Sequence, residues 1–541
     1  MTDKTVLIVG SGLAGLTAGA FLVKENIPVT ILEKESHIGG LVTSFEREGY
    51  IFDGGLRAVE SSGLIISSLQ DLGIDLKLIK STVTLGIGDD MIPFVETDDV
   101  DKFETLLKRI YPEESDAIDV IMTDIRNVMT YMVVLLGGEA PVYKSGEEKE
   151  KVSFWKTYLP WLIKLLKTIP KLSKLKLPIE DHLKKITQNQ AMIDIIIQHF
   201  FEGTPASFAL AYFLFYFDYN YPAGGTGALS QALADYITAG TGDILTETKI
   251  CSVDPERRTV RDQQGKMYSY EKMIWTADNK YLYSIVDADK IDNKKLRKKV
   301  AEKQAFLQDL RGAESVYTVY AGVDLPPSFF KSICTEHVFY TPDTRGLHTA
   351  KPKEMKTWLQ NKQATGNESY RQHIKEYLKD FFYYNTFEIS FPVLRDASLA
   401  PKGKTGMIVS CLFDYDLCKF IQDSGWYDEF KTYSESLIIE ILDKSIFPGL
   451  TEKTELCFSA TPLSLERYTG NTDGAIVGWS FMNPRIPVPQ SMVSMPKAVT
   501  TVMPHIYQAG QWTYSPAGLP ISLLTGKVAA GRVKKKVSGK R

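Results

Sequence analysis

Cysteine is scarce in this sequence. Five occur in 541 residues (Cys251, Cys334, Cys411, Cys418 and Cys457), an odd number with no pair at Cys-x-x-Cys spacing. That spacing excludes a zinc knuckle and a disulfide framework, and it fits a reducing compartment. Charge of one sign is also lacking. The formal net charge is -3 with 24% charged residues, so no basic field draws the chain to nucleic acid. Long hydrophobic runs are missing too. The longest aromatic-aliphatic stretch, 208–217 (FALAYFLFYF), is too short to span a bilayer. The first apolar run is four residues long and ends in glycines, unlike the core of a signal peptide. A cytoplasmic protein is expected, at most peripheral on a membrane. The seven histidines are dispersed, with no Ser-His-Asp arrangement and no metal-ligand cluster. His199, on an apolar stretch, reads as a packing residue, and no metal is expected.

What is present begins with size. A chain of 541 residues with 44% hydrophobic residues is too long for one ordinary core, so two or more domains are expected. The first motif is VLIVGSGLAGL at 6–16, four apolar residues followed by Gly-x-Gly-x-x-Gly. Residues 5–33 read as a βαβ unit: a buried strand 5–9, a helix from the glycines to about Glu25, and a strand 28–32 ending at Glu33. Asn26 can take the left-handed position that ends a helix. In such a unit Gly10 allows the sharp turn, Gly12 lets a phosphate reach the backbone, and Gly15 lets helix and sheet pack closely. The helix N-terminus offers free N–H groups to an anion. Glu33 stands 23 residues after Gly10, close to the spacing of an acid that accepts from ribose hydroxyls. The motif alone does not choose between NAD, NADP and FAD.

Further along, 100–220 reads as mostly helical. A glycine-rich turn and helix follow near Gly224, then short strands, then MIWTAD at 273–278. Residues 300–455 mix strands with charged helices. The end, 506–533, is a strand, a glycine-rich turn and a helix, followed by a basic tail. GGTGAL at 224–229 lacks an apolar strand before it and a third glycine, so it is a decoy for a second dinucleotide site.

Four ordered blocks carry a resemblance. After Glu33 come Gly39-Gly40 and Phe52-Asp53-Gly54-Gly55. The middle holds YPAGGTGALSQALADYITAGTGDILTETKICSV and MIWTAD, and the end holds YQAGQWTYSPAGLPISLLTGKVAAG. Together they resemble the flavin amine oxidase and phytoene desaturase superfamily. The resemblance implies an α/β fold: a Rossmann-type FAD-binding domain with an interleaved α+β substrate-binding domain. It implies the FAD-binding parts at 1–95, 221–300 and 456–541, a helical substrate- or membrane-facing insert at 96–220, and a substrate domain at 301–455. It implies FAD as cofactor, held at the start by Gly10, Gly12, Leu13, Ala14, Gly15, Glu33 and Lys34. Gly40, Leu41 and Val42 would pass beside the flavin, and Ile250 would hold the adenine through its backbone. Ala277 lies on the strand returning to the FAD domain. Gly510, Gln511, Gly518, Leu519, Pro520 and Ile521 would form a second helix N-terminus at the cofactor. Two departures stand out: Gln511 where relatives often carry Asp, and Gly19 where Ala is usual.

ATPLSLERYTGNTDGAIVGW at 460–479 and DASLAPKGKTGMIVS at 396–410 are similar to the phytoene desaturase, carotenoid isomerase and retinol saturase branch. That likeness implies desaturation, saturation or isomerisation of carbon–carbon bonds in a long apolar polyene or lipid. Taken by itself, Arg467-Tyr468-Thr469-Gly470-Asn471 reads as a turn between strand and loop. Arg57, Glu60 and Tyr514 are the candidate acid–base residues, with none assigned as catalytic. An amine or porphyrinogen oxidase on the same fold is an alternative, as is a Rab GDP-dissociation-inhibitor-like prenyl-binding protein that uses no flavin. The segment 151–179 carries seven lysines, no acid, and an apolar face with Trp155, Tyr158 and Trp161. It is expected to lie on an anionic membrane surface, with Lys164 and Lys167 outward. No dedicated reductant site is visible, so the electron donor or acceptor stays open.

Overall fold

The computed structural model describes residues 6–60, 62–136, 164, 168, 170–172, 175–197, 199–491 and 494–537. Most of the lysine-rich segment 151–179, including Lys167, lies outside the described residues.

The strand Val6–Val9 is buried along its whole length and forms the middle of a five-stranded parallel sheet. Its neighbours are Lys272–Trp275 on one side and Val29–Leu32 on the other. Ile506–Gln508 and Gly242–Leu245 take the two edges. Such continuous apolar strands are what a parallel sheet covered on both faces requires. The helix Leu13–Val23 follows the first strand and buries every residue but Phe21. It is apolar all round because it lies between the sheet and the last helix, Leu519–Val537. Small residues set that approach. A Cβ on Gly15 would stand 2.0 Å from the Gly10 carbonyl oxygen, and one on Gly526 would stand 2.5 Å from the Ala14 oxygen. A Cβ on Gly19 would meet Ile31 and Ile237 at 3.0 Å, so Gly replaces the usual Ala where large neighbours crowd the helix. Asn26 has φ 55 and closes the helix in the left-handed region, as its position suggests.

The second sheet has seven strands, in the order Thr454–Ala460, Ser315–Val323, Thr405–Phe413, Phe387–Ser390, His337–Thr341, Val83–Ile87 and Asp90–Phe94. All its pairs are antiparallel except His337–Thr341 with Val83–Ile87. Alternation divides its side chains. Val338 and Tyr340 join the core beneath the helices Glu368–Tyr383 and Tyr427–Ser445, whereas Phe339 joins a core with Val83, Leu85 and Phe94. The second core includes the helices Asp99–Ile110, Ser115–Leu136, Gln190–Ile197 and Ala206–Phe215.

The structure shifts the expected segment limits. Residues 83–94 fall in the expected first FAD-binding part, yet both strands there pair in the second sheet. Thr454–Ala460 straddles the expected limit at 456 and pairs with Ser315–Val323. Alternation in a short strand tells which face is buried but not which distant strand it joins. The helical insert and a later strand share one core, as two parts of one interleaved domain would. Tyr219–Pro222, at the end of the expected helical stretch, is a strand paired with Leu78–Ser81.

Candidate active site

Between the two sheets runs a single cavity of about 1620 Å³. One end is built from backbone. The turn after Val9 has Gly10 at φ 102, and Thr276 Oγ1 donates to the Val9 and Gly10 carbonyls at 2.9 Å. Gly12 has an extended backbone, and a Cβ added there meets nothing within 4 Å. The space beside it is therefore open. The second glycine pair runs alongside: the Gly39 N–H donates to the Ser11 carbonyl at 3.0 Å, and Gly40 has φ 59. Opposite them opens the helix Leu519–Val537, with Gly518, Leu519, Pro520 and Ile521 on the cavity wall. Two helix N-termini thus face one space, each with first-turn N–H groups free for an anion.

Glu33 lies in this wall and is 8% exposed. Its Oε2 accepts from the Ser11 N–H at 2.8 Å and the Ser11 hydroxyl at 2.7 Å, and its Oε1 accepts from the Glu35 N–H at 3.0 Å. A carboxylate has about four lone-pair sites, so it can still accept from a ligand hydroxyl. Lys34 is turned aside, its Nζ donating to the Arg467 carbonyl at 2.8 Å and pairing with Glu35 at 2.9 Å. Leu13, Ala14, Leu41, Val42, Ala277, Gly510 and Gln511 also line the cavity. Ile250 joins them, and its carbonyl accepts from Tyr281 Oη at 3.0 Å. Gly15 is the exception among the expected cofactor residues. It sits behind the turn, where its missing side chain makes room for the Gly10 carbonyl, so its part is packing.

The other end is built from side chains. On the helix Ala206–Phe215, Phe208, Tyr212 and Phe215 share one face and line the cavity, while Ala206, Ala209, Leu210 and Phe213 lie in the core behind. This double burial explains why FALAYFLFYF is apolar on every side. Met132, Phe200, Phe339 and Phe481 complete the walls. The floor is the second sheet. Val316, Thr318 and Tyr320 alternate onto it from one strand, with Ser410 and Leu412 from the next. Glu388 stands opposite Ser410, and Phe339 stands opposite Glu388.

This apolar end holds buried titratable groups. Glu60 accepts from Tyr212 Oη at 2.6 Å, and Tyr212 pairs with Tyr219 at 3.0 Å. Burial pushes the Glu60 carboxyl up to about 7. His199 Nε2 is 2.7 Å from Tyr216 Oη, and burial lowers its imidazole to about 4, so it is a neutral, satisfied packing group that also faces the cavity. His337 is likewise pushed down by burial, and its Nε2 lies 3.1 Å from Glu388 Oε1. Glu388 is held below the usual carboxylate range by His337 and Arg57, which outweigh its burial. Arg57 donates to the Asp53 carbonyl at 2.5 Å and to Ser410 Oγ at 3.2 Å. Tyr514 also lines the cavity, its phenol raised to about 12 by burial.

Several motif residues take roles here that their motifs do not specify. Asp53 is a hidden hub: its carboxylate accepts from Tyr221 Oη at 2.7 Å, from Ser44 Oγ at 2.9 Å, and from the Thr226 N–H and hydroxyl at 2.9 and 2.8 Å. The glycines of GGTGAL serve the same junction, since a Cβ on Gly225 or Gly227 would strike Ser44 at 2.6 or 2.7 Å. Arg467, Tyr468 and Thr469 are not a turn between strand and loop. They end a helix, Pro462–Thr469, that Thr461 caps and Gly470 closes at φ 73. The Thr-Pro start is the available signal, because Pro is favoured in a first helical turn after a Thr cap. That helix end lines the cavity beside Lys34. Among the described residues, no cluster of three or more His, Cys, Asp or Glu is placed to hold a metal, and no helix is long and apolar enough to cross a membrane.

A glycine-lined Rossmann-type turn joined through one cavity to an aromatic-walled chamber defines a mixed α/β protein whose two largest sheets flank the site. The comparisons agree. A model for the NAD(P)-binding Rossmann-like domain matches residues 8–69. The chain is 22% identical to a 4,4'-diapophytoene desaturase (4,4'-diaponeurosporene-forming) of Staphylococcus aureus, over 98% of this chain and 99% of that protein. Among solved structures, an oxidoreductase from Methanosarcina mazei superposes with a TM-score of 0.59 at 12% identity, over 98% of this chain and all of that one. Putrescine oxidase bound to putrescine superposes with a TM-score of 0.56 at 14% identity, over 98% and 99% of the two chains. The chain shares its fold with these solved structures.

Proposed function

We propose that the chain is an FAD-dependent oxidoreductase acting on a carbon–carbon bond of a long, apolar, unsaturated substrate. The observation that carries this reading is the continuity of the cavity, from the open space at Gly12 to the aromatic walls at Phe208 and Phe339. The residues fit FAD: two helix N-termini and two glycine turns for a pyrophosphate, and Glu33 for a ribose. Bound there, FAD supplies hydride transfer. The chain's own residues do the rest. The aromatic walls exclude water and hold an extended apolar molecule. Glu60, its carboxyl raised to about 7, exchanges its proton near neutral pH and can pass it to, or take it from, a substrate carbon, with Tyr212 fixing its Oε1. The end-to-end likeness to the diapophytoene desaturase supports carbon–carbon chemistry over amine oxidation.

The test is anaerobic incubation of oxidised and reduced protein with polyenes and unsaturated lipids, followed by product mass. A change of two hydrogens, or an isomer of unchanged mass, supports the reading. Purified protein without flavin absorbance overturns it, as does peroxide release with amines and no change in any polyene.

A further inference from the structure

The floor of the apolar chamber is not apolar. Thr318, Ser410 and Glu388 stand side by side on three adjacent strands, Thr318 opposite Ser410 and Ser410 opposite Glu388. Cross-strand neighbours bring their Cβ atoms to roughly 5 Å, so the three polar heads form one row. Thr318 Oγ1 and Ser410 Oγ are 3.0 Å apart. Arg57 reaches the same row from another segment, its Nη2 donating to Ser410 Oγ at 3.2 Å.

Arg57 is 6% exposed, yet among the described residues no carboxylate lies within 4.0 Å of its guanidinium. Its two hydrogen bonds go to a carbonyl and a hydroxyl, and its Cζ stands 5.9 Å from the Tyr320 ring centroid, so N–H groups remain for a further partner. Glu388 lines the cavity with a side chain about a third exposed, 34%, although it is enclosed by the surrounding elements. Its open part therefore faces the chamber. A plain hydrocarbon lying over this row would leave a buried cation and a buried carboxylate in contact with methylenes, which is costly.

We propose that Arg57, Ser410 and Glu388 form a polar subsite that binds an uncharged oxygen, a hydroxyl or a carbonyl, on an otherwise apolar unsaturated substrate. It rests on the reading of this cavity as a substrate chamber and narrows the substrate class within it. The guanidinium donates to the ligand oxygen. Where that oxygen carries a hydrogen, Glu388 accepts it. An anionic head group is disfavoured because Glu388 stands beside Ser410, and a cationic one because Arg57 faces the same row. The subsite pins one end of an extended molecule and so selects which carbon–carbon bond lies at the dinucleotide end.

The test uses three ligands of matched chain, octadecene, oleyl alcohol and oleate. Each displaces the fluorescent polyene diphenylhexatriene from the flavin-loaded protein. The alcohol is expected to displace it at concentrations roughly tenfold or more below the hydrocarbon, as a hydrogen bond to a charged group implies. Arg57→Met removes that advantage. Glu388→Gln keeps the advantage and brings oleate closer to the alcohol. Equal displacement by alcohol and hydrocarbon in the unaltered protein overturns the proposal. So does an alcohol advantage that survives Arg57→Met, or oleate as the strongest ligand. Should Arg57→Met fail to fold, the hydrocarbon–alcohol difference and the Glu388→Gln response decide alone. Absence of both flavin and dye binding would instead defeat the broader reading, so the two failures are distinct.

Discussion

The two ends of the cavity recognise ligands by different means. At the glycine end the chain uses what it omits: side chains missing at Gly12 and Gly40, and N–H groups left free at two helix starts. At the far end it uses side chains brought from remote segments, among them Glu60, Tyr212, Phe339, Glu388 and Ser410. A backbone site tolerates no added atom where the ligand lies, yet asks nothing of the neighbouring side chains. A side-chain site can be retuned one residue at a time. The same fold therefore keeps its dinucleotide end and varies its substrate end.

The sharpest way to break this contrast is Gly12→Val. The added side chain meets no protein atom within 4 Å at its Cβ, and the backbone there is extended, so the fold is kept. The open space is filled, and flavin content should fall by on the order of 100-fold, read from absorbance with circular dichroism as the fold check. Gly15→Val is the contrasting control: its Cβ lands on the Gly10 carbonyl, so it should lower stability as well as flavin content. Next comes Phe208→Asp. An unpaired carboxylate in the apolar wall should weaken diphenylhexatriene binding on the order of tenfold or more while flavin content is unchanged.

How much of each end was legible follows from this difference. Gly10, Gly12, Glu33 and the terminal Gly510 to Ile521 could be read because backbone sites need a local pattern: a strand, a fixed glycine spacing, a helix. Gly15 keeps the packing role its place in the motif suggests, standing behind the turn against the Gly10 carbonyl and not on the cavity wall. The row Thr318–Ser410–Glu388 could not be read. Its members are far apart in the chain and meet only through strand pairing, which alternation does not specify. The segment limit near 95 is blurred for the same reason, as Val83–Ile87 finds its partner at His337–Thr341.

A smaller effect comes from Glu60→Gln. The folded pKa of Glu60 is raised from the ordinary 4.5 to about 7, so the stability this group contributes is full below about 4.5 and lost as the pH rises to about 7. The amide has no proton to lose. Thermal unfolding at pH 8 should show the variant stabilised relative to the unaltered protein, on the order of 1–3 kcal/mol, with the gap closing near pH 4.5. If Glu60 is the proton-transfer group, turnover of the unaltered protein should also change through pH 7, and Glu60→Gln should remove that dependence along with most of the turnover.

The most direct measurement is the flavin stoichiometry of the unaltered protein and Gly12→Val purified side by side. Stoichiometric FAD is expected in the first, and a folded protein without it in the second. A colourless unaltered protein, or a variant that keeps its full flavin complement, would contradict that expectation.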